Sequence, residues 1–205
     1  MNTLIKGAAL GVVLLANIFY SADTLFVDNN TAALNWVGKK VTGEHGGSIN
    51  MLEGWVVVDK NTLLGGAIII DMHSITNRDI ESAEWKLKLE SHLKNEDFFH
   101  VDSFPTSQLQ FSKNQSFILS DTTLNSISAD LTIRGNTHPV EIPCIILNEN
   151  NNYNISGEFN IDRTLFNIKY GSGKFFDDLG DRMIYDDFAI KFDLRLKKIV
   201  SNIGN

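Results

Sequence analysis

Cys144 is the only cysteine in a chain of 205 residues. One thiol cannot form an intrachain disulfide, whatever the compartment allows. No cysteine follows the apolar N-terminal stretch either, so a lipid-modified N-terminus is excluded. Basic clusters are missing. Lys and Arg number 18 against 25 Asp and Glu, a net charge of -7, which leaves little to neutralise nucleic-acid phosphates. No apolar run reaches the ~20 residues that a spanning helix needs. Familiar catalytic signatures are also absent. There is no Gly-x-Ser-x-Gly turn, no His-x-His and no His-Glu-x-x-His. YGSGKFF, residues 170–176, resembles a phosphate-binding loop. However, Ile168 stands where the first glycine is required, and Phe175 where Ser or Thr should follow the lysine.

What is present begins at the N-terminus. Lys6 precedes an apolar stretch from Gly7 to Tyr20, followed by the small Ser21 and Ala22. This pattern predicts a signal peptide over 1–22, an exported (periplasmic or secreted) product and a single domain over 23–200. Tyr20 is bulky for a cleavage site, so an uncleaved N-terminal anchor is the alternative.

Beyond residue 23 the dominant pattern is alternation. In SISADLTIRG, Ile127, Ala129, Leu131 and Ile133 share one parity, and Ser126, Ser128, Asp130 and Thr132 the other. NISGEFNID and FAIKFDLRLKK repeat it, the latter with Phe188, Ile190, Phe192, Leu194 and Leu196 inward. Such strands have one buried and one wet face, which suits an antiparallel sheet. Further strands are predicted at about 24–28, 33–42, 45–59, 63–74, 105–113 and 138–148. One segment departs. Asp79 to Asn95 carries Trp85, Leu89 and Leu93 on one helical face, with Lys86, Glu90 and Lys94 away from it. The expectation is an all-β chain with one amphipathic helix, its sheet closed into a barrel to remove exposed edges. A sandwich would show the same periodicity. Gly38, Gly43, Gly46, Gly47, Gly65 and Gly66 then mark kinks or close backbone approach.

Cys144 shares parity with Val140, Ile142 and Ile146 and is expected to be buried and inert. Of the five histidines, His92 lies near the apolar helix face as a packed residue. Asp97, His100 and Asp102 are the neighbours whose chemistry suits a metal, though a site needs three or four convergent ligands. The aromatics point elsewhere. Trp36, Phe111, Phe159 and Phe192 fall on inward parities. Phe98, Phe99, Phe104, Phe166, Phe175 and Phe176 sit in connectors. They either fill a core or close over an apolar ligand, since a barrel of ~8 strands can do both.

The stretches WVGKKVTGEHGGSI, LLGGAIIIDMHSI, SHLKNEDFFHVDSFPTSQLQF and ADLTIRGNTHPVEI occur in that order. With NIDRTLFNIKYGSG they resemble the YceI-like family, the lipid- or polyisoprenoid-binding proteins of bacteria, from about residue 24 to 197. The resemblance implies an extended eight-stranded antiparallel lipocalin-like barrel with one amphipathic helix and short connecting helices. It implies an exported protein that is not an enzyme, needs no cofactor or metal, and holds an isoprenoid, isoprenoid quinone or fatty-acid-like lipid inside. The expected tunnel wall is Trp36, Phe111, Leu131, Ile133 and Phe159, with Phe98 and Phe99 as a plug. Trp55 departs from the family pattern of a small polar residue. With Val57 and Ile69 it would place apolar area outside, for a partner or a transient membrane contact. Oligomeric state is left open, a homodimer included. Two other readings stand beside this one: a metal-dependent enzyme using Asp97, His100 and Asp102, and a filled barrel without a ligand.

Overall fold

The alternation in FAIKFDLRLKK becomes strand β10 (Ile184–Lys198), where buried Phe192, Leu194 and Leu196 alternate with exposed Lys191, Asp193 and Arg195. The structure is a computed structural model and describes residues 22–149 and 152–198. The predicted signal peptide, but for Ala22, lies outside these residues. Among the described residues nine further strands precede β10. They are β1 (Asp23–Val27), β2 (Ala33–Lys40), β3 (Gly43–Asp59), β4 (Thr62–Asn77), β5 (Thr106–Phe111), β6 (Gln115–Ser116), β7 (Ser120–Ile133), β8 (Asn136–Glu149) and β9 (Asn152–Asp162). Helix α1 (Ala83–Lys94) interrupts them. Two short 3-10 turns, Arg163–Phe166 and Gly180–Arg182, are the connecting helices.

All pairings between these strands are antiparallel, and they close into a ring: β3, β2, β10, β9, β8, β7, β5, β4 and back to β3. Ten strands fill eight positions because two staves are interrupted. β1 and β2 both run between β3 and β10, β1 at one end and β2 at the other. β5 and β6 likewise both pair with β4. The expected eight-stranded barrel is therefore present.

One seam is loose. β8 pairs with β9 only from Cys144↔Gly157 to Glu149↔Asn152. Above that rung Asn136–Pro143 pairs with β7 alone, so the N–H groups that Pro139 and Pro143 lack can be spared. The 3-10 turn after β9 fills the gap. Phe166 is fully buried there, its ring 5.2 Å from that of His138. Close approach explains two glycines. A Cβ on Gly47 would lie 1.8 Å from the Thr76 carbonyl oxygen and 2.8 Å from the Trp36 ring. At Gly66, φ is +153° and a Cβ would sit 2.4 Å from the Trp55 carbonyl oxygen.

The helix is shorter than its apolar period predicted. Asn77 is fully buried, and its side chain bonds to the backbone of Gly46 and Ile80 and to Asp79. That holds 77–80 in a turn, and the helix starts after Ser82, whose hydroxyl caps Trp85 N–H. Trp85 was expected on the packed face but is 57% exposed. Burial grows along the helix, to half-buried Leu89 and buried Leu93, because only its later turns lie over the barrel end.

Candidate functional site

A cavity of about 600 Å³ runs through the barrel. Its inner end is closed by Leu25, Leu196 and the facing rings of Phe117 and Tyr153, 6.3 Å apart. Charged lining residues gather at the opposite end, among them Lys40, Glu44, Asp181 and Arg182. We call this end the mouth. Between the two ends the wall is apolar, supplied by the inward parity of every stave.

All of the tunnel residues expected from the sequence line this one cavity. Phe111, Leu131 and Ile133 are buried on β5 and β7, while Trp36 on β2 and Phe159 on β9 are half-buried. Phe98 and Phe99 form a tilted pair at 5.8 Å beneath α1. Trp36 is fixed by its indole N–H, which donates to the Thr76 carbonyl at 3.2 Å. The other connector phenylalanines go elsewhere. Phe104 packs by His100, Phe166 fills the seam, and Phe175 and Phe176 are exposed.

The Asp97, His100 and Asp102 group does not converge. His100 adopts a left-handed backbone, exchanges a hydrogen bond with the Ser103 hydroxyl at 2.9 Å and faces Phe104. Among the described residues no three His, Cys, Asp or Glu side chains are close enough to hold a metal ion. Cys144 lies in the wall at 2% exposure, and burial pushes its thiol pKa up to about 11. A thiol held neutral there is a poor nucleophile. Trp55 faces outward beside Phe26 of β1. It is itself half-buried, as are Val57 and Ile69, so the outer patch is narrower than expected.

Sequence reasoning missed Arg163. It is 2% exposed and lines the tunnel below the mouth. Its guanidinium donates to the carbonyls of Tyr185, Ile168, Tyr170 and Ile184 at 2.9–3.1 Å, and sits 5.6 Å from the centre of the Phe98 ring. Asp186 lies 3.6 Å away, and Lys174 bridges Asp186 and Asp162. These bonds tie the connector 163–183 to the start of β10 across the barrel end. The signal was its parity, which continues that of Phe159 and Ile161 inward.

The YceI-like domain profile matches residues 26–196. The chain belongs to the YceI-like family. Solved structures share the fold at low identity. A polyisoprenoid binding domain from Saccharophagus degradans has a TM-score of 0.63 at 12% identity, over 85% of this chain and 98% of its own. BcnA of Burkholderia cenocepacia gives 0.55 at 18%, over 82% and 98%. The YCEI protein of Campylobacter jejuni gives 0.50 at 14%, over 97% and 94%. No curated protein sequence matches the chain.

In this YceI-like barrel His92 closes the mouth from the helix side. Its ring meets Phe98 at 5.2 Å and Tyr170 at 4.5 Å, both edge-on. Burial lowers its pKa below the usual histidine range, against the opposing pull of Asp97. The fold thus prefers neutral His92. The stability this lends is whole above about pH 6.5, the ordinary histidine value, and is lost as pH falls through the lowered folded pKa. Urea midpoints are expected to drop between pH 7.5 and 5, and to drop less in His92→Gln. Equal slopes in the two proteins would acquit His92.

Proposed function

We propose that this chain is an exported binding protein that holds one long apolar tail, isoprenoid or acyl, inside the barrel without doing chemistry on it. The observation that carries this reading is the continuous apolar cavity of about 600 Å³, charged at one end only. Its wall on β10 reaches from Ile184 to Leu196. At about 3.3 Å per residue and a 35–45° strand tilt, that is roughly 30 Å along the axis. Each CH₂ taken from water contributes about 0.8 kcal/mol, so ten give about 8 kcal/mol before ordering costs. The polyisoprenoid binding named for the Saccharophagus degradans domain points the same way. In this reading residues 1–22 are removed on export. Loading brings the mouth to a membrane, where Phe175 and Phe176, 46% and 50% exposed on the connector 163–183, would enter the lipid.

Native mass spectrometry of protein purified from cells, with extraction of its lipids, tests the reading. A mass lacking 1–22 with a single-tailed lipid bound is the expected result. A lipid-free protein whose tunnel takes up no added lipid supports the filled barrel instead. Stoichiometric metal in the same sample would count against the reading.

A further inference from the structure

The closed end of the tunnel is built unlike its sides. The stave shared by β5 and β6 breaks after Phe111 and resumes at Gln115. β5 pairs with β7 only from Gln108↔Thr132 to Gln110↔Asp130, and β6 pairs with β4. Among the described residues no backbone ladder joins β6 to β7. Two side-chain amides stand in for the missing rungs. Gln115 Nε2 donates to the Ser128 carbonyl at 2.7 Å, and its Oε1 accepts the Ser128 N–H at 2.6 Å. From the other side, Asn125 Nδ2 donates to the Ile118 carbonyl at 2.9 Å, and its Oδ1 accepts the Ile118 N–H at 2.7 Å. An amide side chain carries a donor and an acceptor side by side, as a strand backbone does. Each clip thus satisfies backbone groups that the interrupted ladder leaves bare.

Phe117 falls between the two clips. Its N–H donates to the Asn61 carbonyl at 2.9 Å. Its side chain is buried and lines the tunnel, with the ring edge-on to Tyr153 of β9. In the ring of eight, β9 stands three places from the stave of β5 and β6, nearly opposite, so this contact crosses the tunnel. Neither Gln115 nor Asn125 lines the tunnel. Ile118, the next residue, and Leu124, beside Asn125, are exposed. This segment therefore puts no second apolar layer behind the Phe117 ring.

We propose that Phe117 is the stop that sets how long a tail the tunnel accepts, and that Gln115 and Asn125 set it from outside by holding the ring across the barrel. Phe117 meets the end of the tail. The two amides are positioning residues that never touch it. The inference rests on the tail-binding reading above, and its test separates the two.

The protein is loaded from phosphatidylcholine vesicles carrying an equimolar ladder of fatty alcohols, and the bound alcohols are extracted and quantified by mass spectrometry. A tail passing from bilayer to tunnel exchanges one apolar surrounding for another, so occupancy should be level with length until the tunnel is full. Each further CH₂ is forced into water and should lower occupancy about fourfold. Phe117→Ala is expected to move this break to longer tails. For a tail two carbons past the wild-type break, occupancy should rise about fifteenfold. Phe117→Leu should move the break less, and it carries the test if circular dichroism shows the alanine variant unfolded. Asn125→Ala and Gln115→Ala, which keep Phe117, should each move the break the same way. Adding either to Phe117→Ala should move it no further. Damage to the fold alone would lower occupancy at every length and leave the break in place. A fixed break in the folded Phe117 variants means the stop is wrong, and the tail reading stands. A fixed break in Asn125→Ala and Gln115→Ala, or a further shift in the double variants, overturns the positioning role. If no alcohol of any length binds the wild type, the tail reading itself fails.

Discussion

Arg163→Ala is expected to lower stability by about 3–5 kcal/mol, the usual cost of leaving a buried ionic partner alone. Four carbonyls, of Tyr185, Ile168, Tyr170 and Ile184, would lose their donor. Asp186 would lose the cation at 3.6 Å, and its Oδ1 is already buried without a hydrogen-bond partner among the described residues. Water entering the vacated space would recover part of this, which keeps the figure below the sum of the lost bonds. Arg163→Lys should recover little, since one ammonium has three donors and cannot reproduce the guanidinium fork. The effect should also be local. With the connector 163–183 released, Tyr170 and Phe98 lose their support, and hydrogen exchange should rise there first. Urea denaturation measures the first claim. A loss under 1 kcal/mol in Arg163→Ala would mean the connector is held by Phe166 and Ile168 alone.

Phe111→Trp is expected to shorten the tail the protein accepts. Phe111 is buried on β5, lines the tunnel and pairs with Gly66 of β4. Gly66 also pairs with Val56 of β3, level with Leu25 on β1, so position 111 lies toward the closed end. A larger ring there takes space from the end of the tail. Displacing about three CH₂ groups at about 0.8 kcal/mol each would cost about 2.4 kcal/mol, roughly sixtyfold in affinity for the longest tails. Short tails that never reach this level should bind as before. Overpacking costs about 1–3 kcal/mol of stability, so circular dichroism must show the variant folded. A length series of fatty alcohols reads the result. Unchanged preference for long tails in a folded variant would place the tail elsewhere, and the filled-barrel reading would gain.

The large features were legible because they follow from local rules. Alternation needs only the pleat of a strand, so Ile127, Ala129, Leu131 and Ile133 could be assigned to one face without tertiary information. The same rule made Cys144 a buried thiol and gathered Trp36, Phe111 and Phe159 on one wall. Where backbone contacts decided, the period misled. Trp85 keeps the helical spacing of Leu89 and Leu93, yet the first turn of α1 overhangs the barrel and leaves it exposed. The Asp97, His100 and Asp102 cluster is close in sequence, but the left-handed turn at His100 directs it to Ser103 and Phe104.

The sequence by itself determined an antiparallel all-β chain, the inward face of its plainly alternating strands, and the family, because side-chain parity and motif order are properties of the chain alone. Only the tertiary structure decided that ten strands make eight staves, that the seam above Gly157 is plugged by Phe166, and that Arg163 holds the cap through four carbonyls. It alone set the His92 ring edge-on against Phe98 and Tyr170 at the mouth. The physical reason is common to all of these. Each depends on which backbone groups from distant segments are left without a partner when the ring closes, and buried backbone polar groups must be satisfied by whatever the fold brings near.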